Sequence, residues 1–308
     1  MNKKIAIILG YYNGEKYIDE LIYSIFSQTY KNFHIFIFDD KSKIPFDKKF
    51  FNLDSYKKKK ISVYKRKVNL GFSMNFLKGL SEIDDTYEYY AFCDQDDIWH
   101  KDKLSRGIKT IENENSNCPM LFGTKTWITN KDCSKVLGKS ISIKRPLSFK
   151  NAILQSFAGG NTMIFNLSAK KIIISNLDLV KPVSHDWWAY LLISGHGGKI
   201  FYDPTPSLFY RQHQSSQVGT NKSWIGRASR FLKLIKGDFR FCIQNNINSL
   251  NISKDNLNNE NRKVLETFSK ARNSNFFQRF YLYKKLGVYR QNQIGSFIFL
   301  IFFIFKRI

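Results

Sequence analysis

Cysteine is scarce in this sequence, and the four residues present, Cys93, Cys118, Cys133 and Cys242, form no CxxC pair and sit near no pair of histidines. That argues against a structural zinc site and a disulfide framework, and it fits a reducing cytosol. Long apolar runs are lacking too. Ile5 to Leu9 is too short for the core of a signal peptide and precedes no small-residue cleavage site, so export is not expected. The uncharged stretch Ile294 to Phe305 has 12 residues, about 18 Å as a helix, against roughly 30 Å of hydrocarbon in a bilayer. Insertion at a membrane interface is therefore expected rather than a crossing, the alternative being a buried C-terminal helix or a dimer contact. Acidic residues are outnumbered, 25 Asp and Glu against 49 Lys and Arg, and no internal repeat is visible.

What remains is an ordinary globular composition, 43% hydrophobic and 24% charged over 308 residues. That length allows one large domain of roughly 200 to 250 residues and an appendage. The formal charge of +24 is uneven: residues 221–308 carry 17 Lys/Arg against 4 Asp/Glu. With the shift to Lys, Arg, Asn and aromatics, this places a boundary near 220, between a domain over 1–220 and a basic, helical region over 221–308. A basic region of this kind implies an anionic partner, either nucleic acid or membrane headgroups.

Short apolar runs alternate with helical periodicity through the first half, the pattern of an α/β domain with a largely parallel sheet. Ile5–Leu9, Phe33–Phe38, Ile61–Tyr64 and Tyr89–Cys93 read as strands, and Glu15–Gln28, Phe72–Leu80 and Lys101–Glu112 as helices. Ligands of open α/β sheets bind at the carboxyl ends of the strands. The polar clusters fall there: Tyr12 and Asn13 after the first strand, Asp39 and Asp40 at the second, Asn69 and Gly71 after the third, and Asp94, Asp96 and Asp97 after the fourth. In an extended segment Asp94 and Asp96 share a face. Three carboxylates there would repel strongly unless a cation sits among them, and oxygen-only ligands suit Mg²⁺ or Mn²⁺. The alternative is a solvated turn, with Asp97 capping the helix near Lys101.

The segments IAIILGYYNGEKYI, SQTYKNFHIFIFDDKS, NLGFSMNF and CDQDDIWHKDKL, in that order, resemble the family 2 glycosyltransferases. DQDDIW is most similar to their rhamnosyltransferase-like members. The motifs lie within residues 4–104, with weaker matches to about residue 216. The resemblance implies a GT-A fold with a mixed, mainly parallel sheet. It also implies inverting transfer of a sugar from a nucleotide-diphosphate donor, a dTDP-deoxysugar such as rhamnose or a UDP-sugar, to a saccharide acceptor.

It assigns Tyr12, Asn13, Asp39 and Asp40 to the nucleoside, and Asn69, Gly71, Asn75, Asp94 and Gln95 to the donor site, although Asn69-Leu70-Gly71 also reads as a turn before a helix. Asp96, with Asp94, is the implied metal carboxylate. Asp186 is the implied base, assisted by His185, or else a carboxylate favoured by a helix dipole. Gly159, Gly160, Asn161 and Trp187 fall on the acceptor side, the two glycines being equally readable as a tight turn. In the closing segment His213 is a metal ligand candidate and Arg211 a diphosphate contact. A lipid-linked acceptor in surface polysaccharide synthesis, at the cytoplasmic face of a membrane, would account for the basic tail.

Three readings compete. A nucleic-acid-binding protein has only the charge in its favour, since the acidic strand ends suit no polyanion and no binding motif appears. A sugar nucleotidyltransferase would need a glycine-rich basic phosphate loop, which Gly10 and Gly14 do not make. A non-catalytic transferase domain is disfavoured by the retained DxD and Asp186.

Overall fold

Each Ile- and Phe-rich run of the first half is a strand, because a strand covered on both faces must be apolar throughout rather than alternating. The computed structural model describes residues 3–47, 54–114, 117–212 and 238–308. Its strands are β1 (Ile5–Tyr11), β2 (Phe33–Asp39), β3 (Ile61–Lys65), β4 (Tyr89–Asp94), β5 (Ile98–Trp99), β6 (Met120–Thr124), β7 (Trp127–Thr129), β8 (Val136–Lys139), β9 (Ile164–Asn166), β10 (Lys199–Asp203) and β11 (Leu208–Arg211). The helices are α1 (Ile18–Phe26), α2 (Ser55–Lys59), α3 (Phe72–Glu82), α4 (Lys103–Glu112), α5 (Phe149–Ala152), α6 (Leu167–Ile173), α7 (His185–His196), α8 (Asp238–Ile252), α9 (Asn259–Asn273), α10 (Phe276–Leu286) and α11 (Gln293–Ile304).

Seven strands form the main sheet in the order β10-β6-β9-β4-β1-β2-β3. All run parallel except β9, which is antiparallel to both β4 and β6. Alternation along β1 divides the core in two. Ile5, Ile7 and Leu9 pack with Leu21, Ile22 and Ile25 of α1 and Leu104, Ile108 and Ile111 of α4. Ala6 and Ile8 face the other way, onto a cluster with Phe76, Leu77 and Leu80 of α3 and the apolar residues of α7. Each enclosed Ile or Leu contributes about 1.5–3 kcal/mol relative to exposure. A smaller sheet, β5-β11-β7-β8, closes one side of the strand ends.

The first helix is shorter than its periodicity suggests, because the Tyr17 and Ile18 N–H groups both turn back to the Gly14 carbonyl. Asp97 caps nothing, since α4 begins after Asp102.

The helices from residue 238 onward join the α7 cluster rather than standing apart. Asn258 N–H donates to the Gly195 carbonyl at 3.0 Å, and Asn261 Nδ2 donates to the Ser194 and Gly195 carbonyls. Gln291 Oε1 accepts from the Lys144 and Arg145 N–H groups. The boundary expected near 220 lies outside the described residues. Among the described residues no helix is long and apolar enough to cross a membrane.

Candidate active site

The loops leaving the carboxyl ends of β1, β2, β3 and β4 lie side by side and are laced together by hydrogen bonds. The Gln95 amide clasps the β1 loop in both directions, accepting from Tyr12 N–H at 2.7 Å and donating to the Tyr12 carbonyl at 3.0 Å. Gly14 leaves room for it, since a Cβ there would come within 2.2 Å of Gln95 Oε1. Asp39 accepts from the Ser42 and Phe46 N–H groups at 2.8 and 2.9 Å. Asp40 accepts from the Leu70 and Gly71 N–H groups at 2.7 and 2.9 Å. Asn69 Nδ2 donates to the Asp40 carbonyl at 2.9 Å. Asn13, held at φ +47°, accepts from Lys43 N–H through its Oδ1.

Above this floor the carboxylates gather. Asp94 at the end of β4 and Asp96 two residues on are both half-buried. Burial, then the Asp96 and Asp186 carboxylates, raise the Asp94 pKa. Asp186, partly accessible in the first turn of α7, is therefore close to the β4 acids in space although far in sequence. Its Oδ1 accepts from Trp187 N–H at 2.7 Å. The exposed ring of Tyr12, 48% accessible, and that of Phe72, 44% accessible, complete the open face.

Several residues expected at the substrate have side chains bonded within the protein. Asp39, Asp40 and Asn75 are buried, and Asn75 spends its amide on the Phe38 carbonyl and Arg66 Nε. Gln95 is committed to Tyr12. Arg211 does not face outward to a diphosphate. Its buried guanidinium donates to the Asp96 and Lys131 carbonyls and pairs with Glu20 at 2.9 Å, lying over the Tyr17 ring. It thereby fixes the backbone of Asp96.

His185 makes no hydrogen bond to Asp186. It is buried in a slot between Phe76, 4.1 Å between ring centroids, and Phe92, and both its nitrogens lack hydrogen bonds. Burial pushes its pKa down to about 4. Gly160 serves that slot, because a Cβ would lie 2.2 Å from His185 Nε2. On the expected acceptor side, Trp187 is buried with Nε1 bonded to the Ala152 carbonyl. Asn161 is buried and donates to Asp97 Oδ2 at 2.6 Å. Gly159 is exposed. His213 lies outside the described residues.

Sequence reasoning missed Lys103, Phe72 and Glu20. Lys103 is fully buried beneath the acids, with Nζ 2.8 Å from the Asn161 carbonyl and over the Trp99 ring. Burial lowers its pKa to about 8, and burial with the neighbouring acids raises that of Asp97. The signal available was Lys103 within CDQDDIWHKDKL, where a helix-start lysine passes for a surface residue.

Residues 6–165 match the model of the family described as glycosyl transferase family 2. The chain belongs to that family. A dTDP-rhamnosyl transferase, RfbG of Shigella flexneri, is 28% identical over 71% of this chain and 76% of its own length. The amylovoran biosynthesis glycosyltransferase AmsB of Erwinia amylovora is 33% identical over 35% of each chain. The structure of S. aureus TarS 1-349 in complex with UDP-GlcNAc superposes with a TM-score of 0.51 over 85% of this chain and 86% of that one, at 16% identity, a likeness of fold. This family 2 glycosyltransferase thus has the mixed, mainly parallel α/β sheet of the GT-A type.

Among the described residues no three His, Cys, Asp or Glu groups are arranged as a metal site. The donor set nevertheless fits a hard cation. Mg²⁺ and Mn²⁺ are commonly held by one or two carboxylates, with phosphates and water completing the shell. The Asp94 pKa is raised first by burial and then by the Asp96 and Asp186 carboxylates, and a cation between the acids would relieve the second part.

Proposed function

We propose that this glycosyltransferase is an inverting, metal-dependent enzyme that moves a deoxyhexosyl or hexosyl group from a nucleoside-diphosphate donor to a saccharide. The observation that carries the reading is the placement of Asp186, partly accessible in the first turn of α7, whose His185 packs 4.7 Å from Phe92 of β4, the strand that ends at Asp94. The acceptor hydroxyl gives its proton to the Asp186 carboxylate while its oxygen attacks the anomeric carbon. The bond from that carbon to the donor phosphate oxygen breaks, and its electron pair leaves with the nucleoside diphosphate on the opposite face. Asp96 and Asp94 would hold Mg²⁺ or Mn²⁺, which offsets charge on the departing diphosphate. The floor of β1–β4 loops positions the nucleoside, with the exposed Tyr12 ring available to stack on the base.

Similarity to a dTDP-rhamnosyl transferase supports a dTDP-deoxysugar donor, with a UDP-sugar as the second candidate. Relatives named for succinoglycan and amylovoran biosynthesis support a role in surface polysaccharide assembly. In this reading the acceptor is lipid-linked and met at the cytoplasmic face of a membrane.

Thermal shift across nucleoside diphosphates, with and without Mn²⁺, tests the donor site. Stabilisation by UDP or dTDP that requires metal and disappears in Asp96→Ala is expected. Asp186→Asn should retain that stabilisation and lose transfer, and wild-type transfer in this variant removes the base assignment.

A further inference from the structure

Helices α10 and α11 bury one face in the core and present a second face that is large, aromatic and uncovered. Phe299 and Phe303 are enclosed. Phe277 is 82% exposed, Tyr281 63%, Phe297 63% and Phe305 65%. Phe276 and Phe305 meet with ring centroids 5.9 Å apart, joining the two helices' rows into one ridge. Contiguous apolar surface of this kind is uncommon on a free monomer and marks an interaction site.

The ridge is held rigid from beneath. Arg279, almost wholly buried, donates through Nη1 to the Phe303 carbonyl at 2.7 Å and through Nη2 to the Arg272 and Ser274 carbonyls. Its charge ties the start of α10 to the end of α11, so docking orders little that is not already ordered.

Charge selects the occupant. After Glu266 the chain has no Asp or Glu and eight Lys or Arg. Lys284, Lys285, Lys306 and Arg307 are all exposed. A second copy seated on the ridge by a two-fold axis would set cations of one copy against cations of the other, with no acid after Glu266 to pair with them.

We propose that the ridge seats the protein on an anionic membrane surface, its aromatic rings entering the boundary between headgroups and acyl chains and its cations contacting lipid phosphates. This deepens the membrane placement proposed above by naming the face. It is tested without any sugar transfer, so the two readings fail separately.

The experiment is co-sedimentation of the full chain with phosphatidylcholine vesicles, and with vesicles in which about one third is phosphatidylglycerol. Binding to the anionic vesicles and little to the neutral ones is expected. Phe277→Ser/Phe297→Ser and Lys284→Glu/Lys285→Glu should each weaken it at least about tenfold. Their melting temperatures and their transfer to a soluble acceptor should match wild type, since all four side chains are exposed. Three results overturn the proposal: no binding of wild type to anionic vesicles, undiminished binding by both variants, or a dimer in ultracentrifugation that the Phe277→Ser/Phe297→Ser change dissolves.

Discussion

At the scale of single residues, the acid cluster is supported by buried groups that bond to it and to one another. Asn161 is one of them. Its amide satisfies Asp97 Oδ2, and its carbonyl receives Lys103 Nζ. Removing the amide leaves a buried carboxyl without its partner, at a cost of about 1–3 kcal/mol. Asn161→Ala should therefore lower the midpoint of urea unfolding while leaving the acceptor KM near wild type. An acceptor KM raised at unchanged stability would return Asn161 to the binding surface. His185 makes a pH prediction. Its native pKa is about 4, whereas an unfolded histidine titrates near 6.5. The unfolded chain thus takes up the proton first on acidification. Stability from this group is intact above pH 6.5, declines between about 6.5 and 4, and is lower by about 2 kcal/mol at pH 5. In His185→Phe the loss of stability between pH 7.5 and pH 5 should shrink by about that amount, and an unchanged loss would place the acid sensitivity elsewhere.

At the scale of elements, the site is a set of loops whose mutual placement depends on a few hydrogen bonds. Gly14→Ala would drive a Cβ into Gln95 Oε1, and Gln95→Ala would remove the clasp from the other side. Both should weaken nucleoside diphosphate binding by a similar factor. The double variant should be no worse than either single, because the two changes break one contact. Calorimetric titration reads this directly, and additive losses would mean the two residues act independently. The same clasp shows what a sequence reveals and what it hides. β1 to β4, α3 and α4 were legible because buried parallel strands are apolar throughout and sheet-packed helices carry a 3.6-residue stripe. Placement of polar residues at strand ends was legible for the same reason. Their division into scaffold and open face was not. Asp39, Asp40, Asn75, Gln95 and Arg211 have the composition of a binding site, yet each side chain closes on backbone or on a neighbouring side chain, and such partners lie 3 to 191 residues away. The surroundings of His185 were hidden similarly: adjacency to Asp186 in the chain suggests shared chemistry, whereas successive residues at a helix start point in different directions, and His185 is buried while Asp186 is partly accessible.

At the scale of the whole molecule, the basic C-terminal helices are both an appended surface and part of the core. A purely peripheral anchor could be removed without loss of the fold. Here α11 places Phe299 and Phe303 in the cluster that contains α7, and α7 carries Asp186. Phe299 packs near Phe239, which stacks on Trp187, so the path from the tail to the helix that carries Asp186 runs through three aromatic rings. Truncation before Gln293 would remove both buried rings and leave Arg279 without its acceptor at Phe303. Loss of one enclosed Phe costs about 3–5 kcal/mol. In a domain of this size each kcal/mol shifts the melting temperature by about 2–4 °C. Truncation should therefore lower it by well over about ten degrees and reduce transfer even to a soluble acceptor, whereas serine at the outward-facing Phe277 and Phe297 should do neither. Thermal melts followed by circular dichroism decide between the two roles. A truncated chain that melts with wild type would show that α11 contributes nothing to the core, and the ridge would then have to act as a detachable anchor.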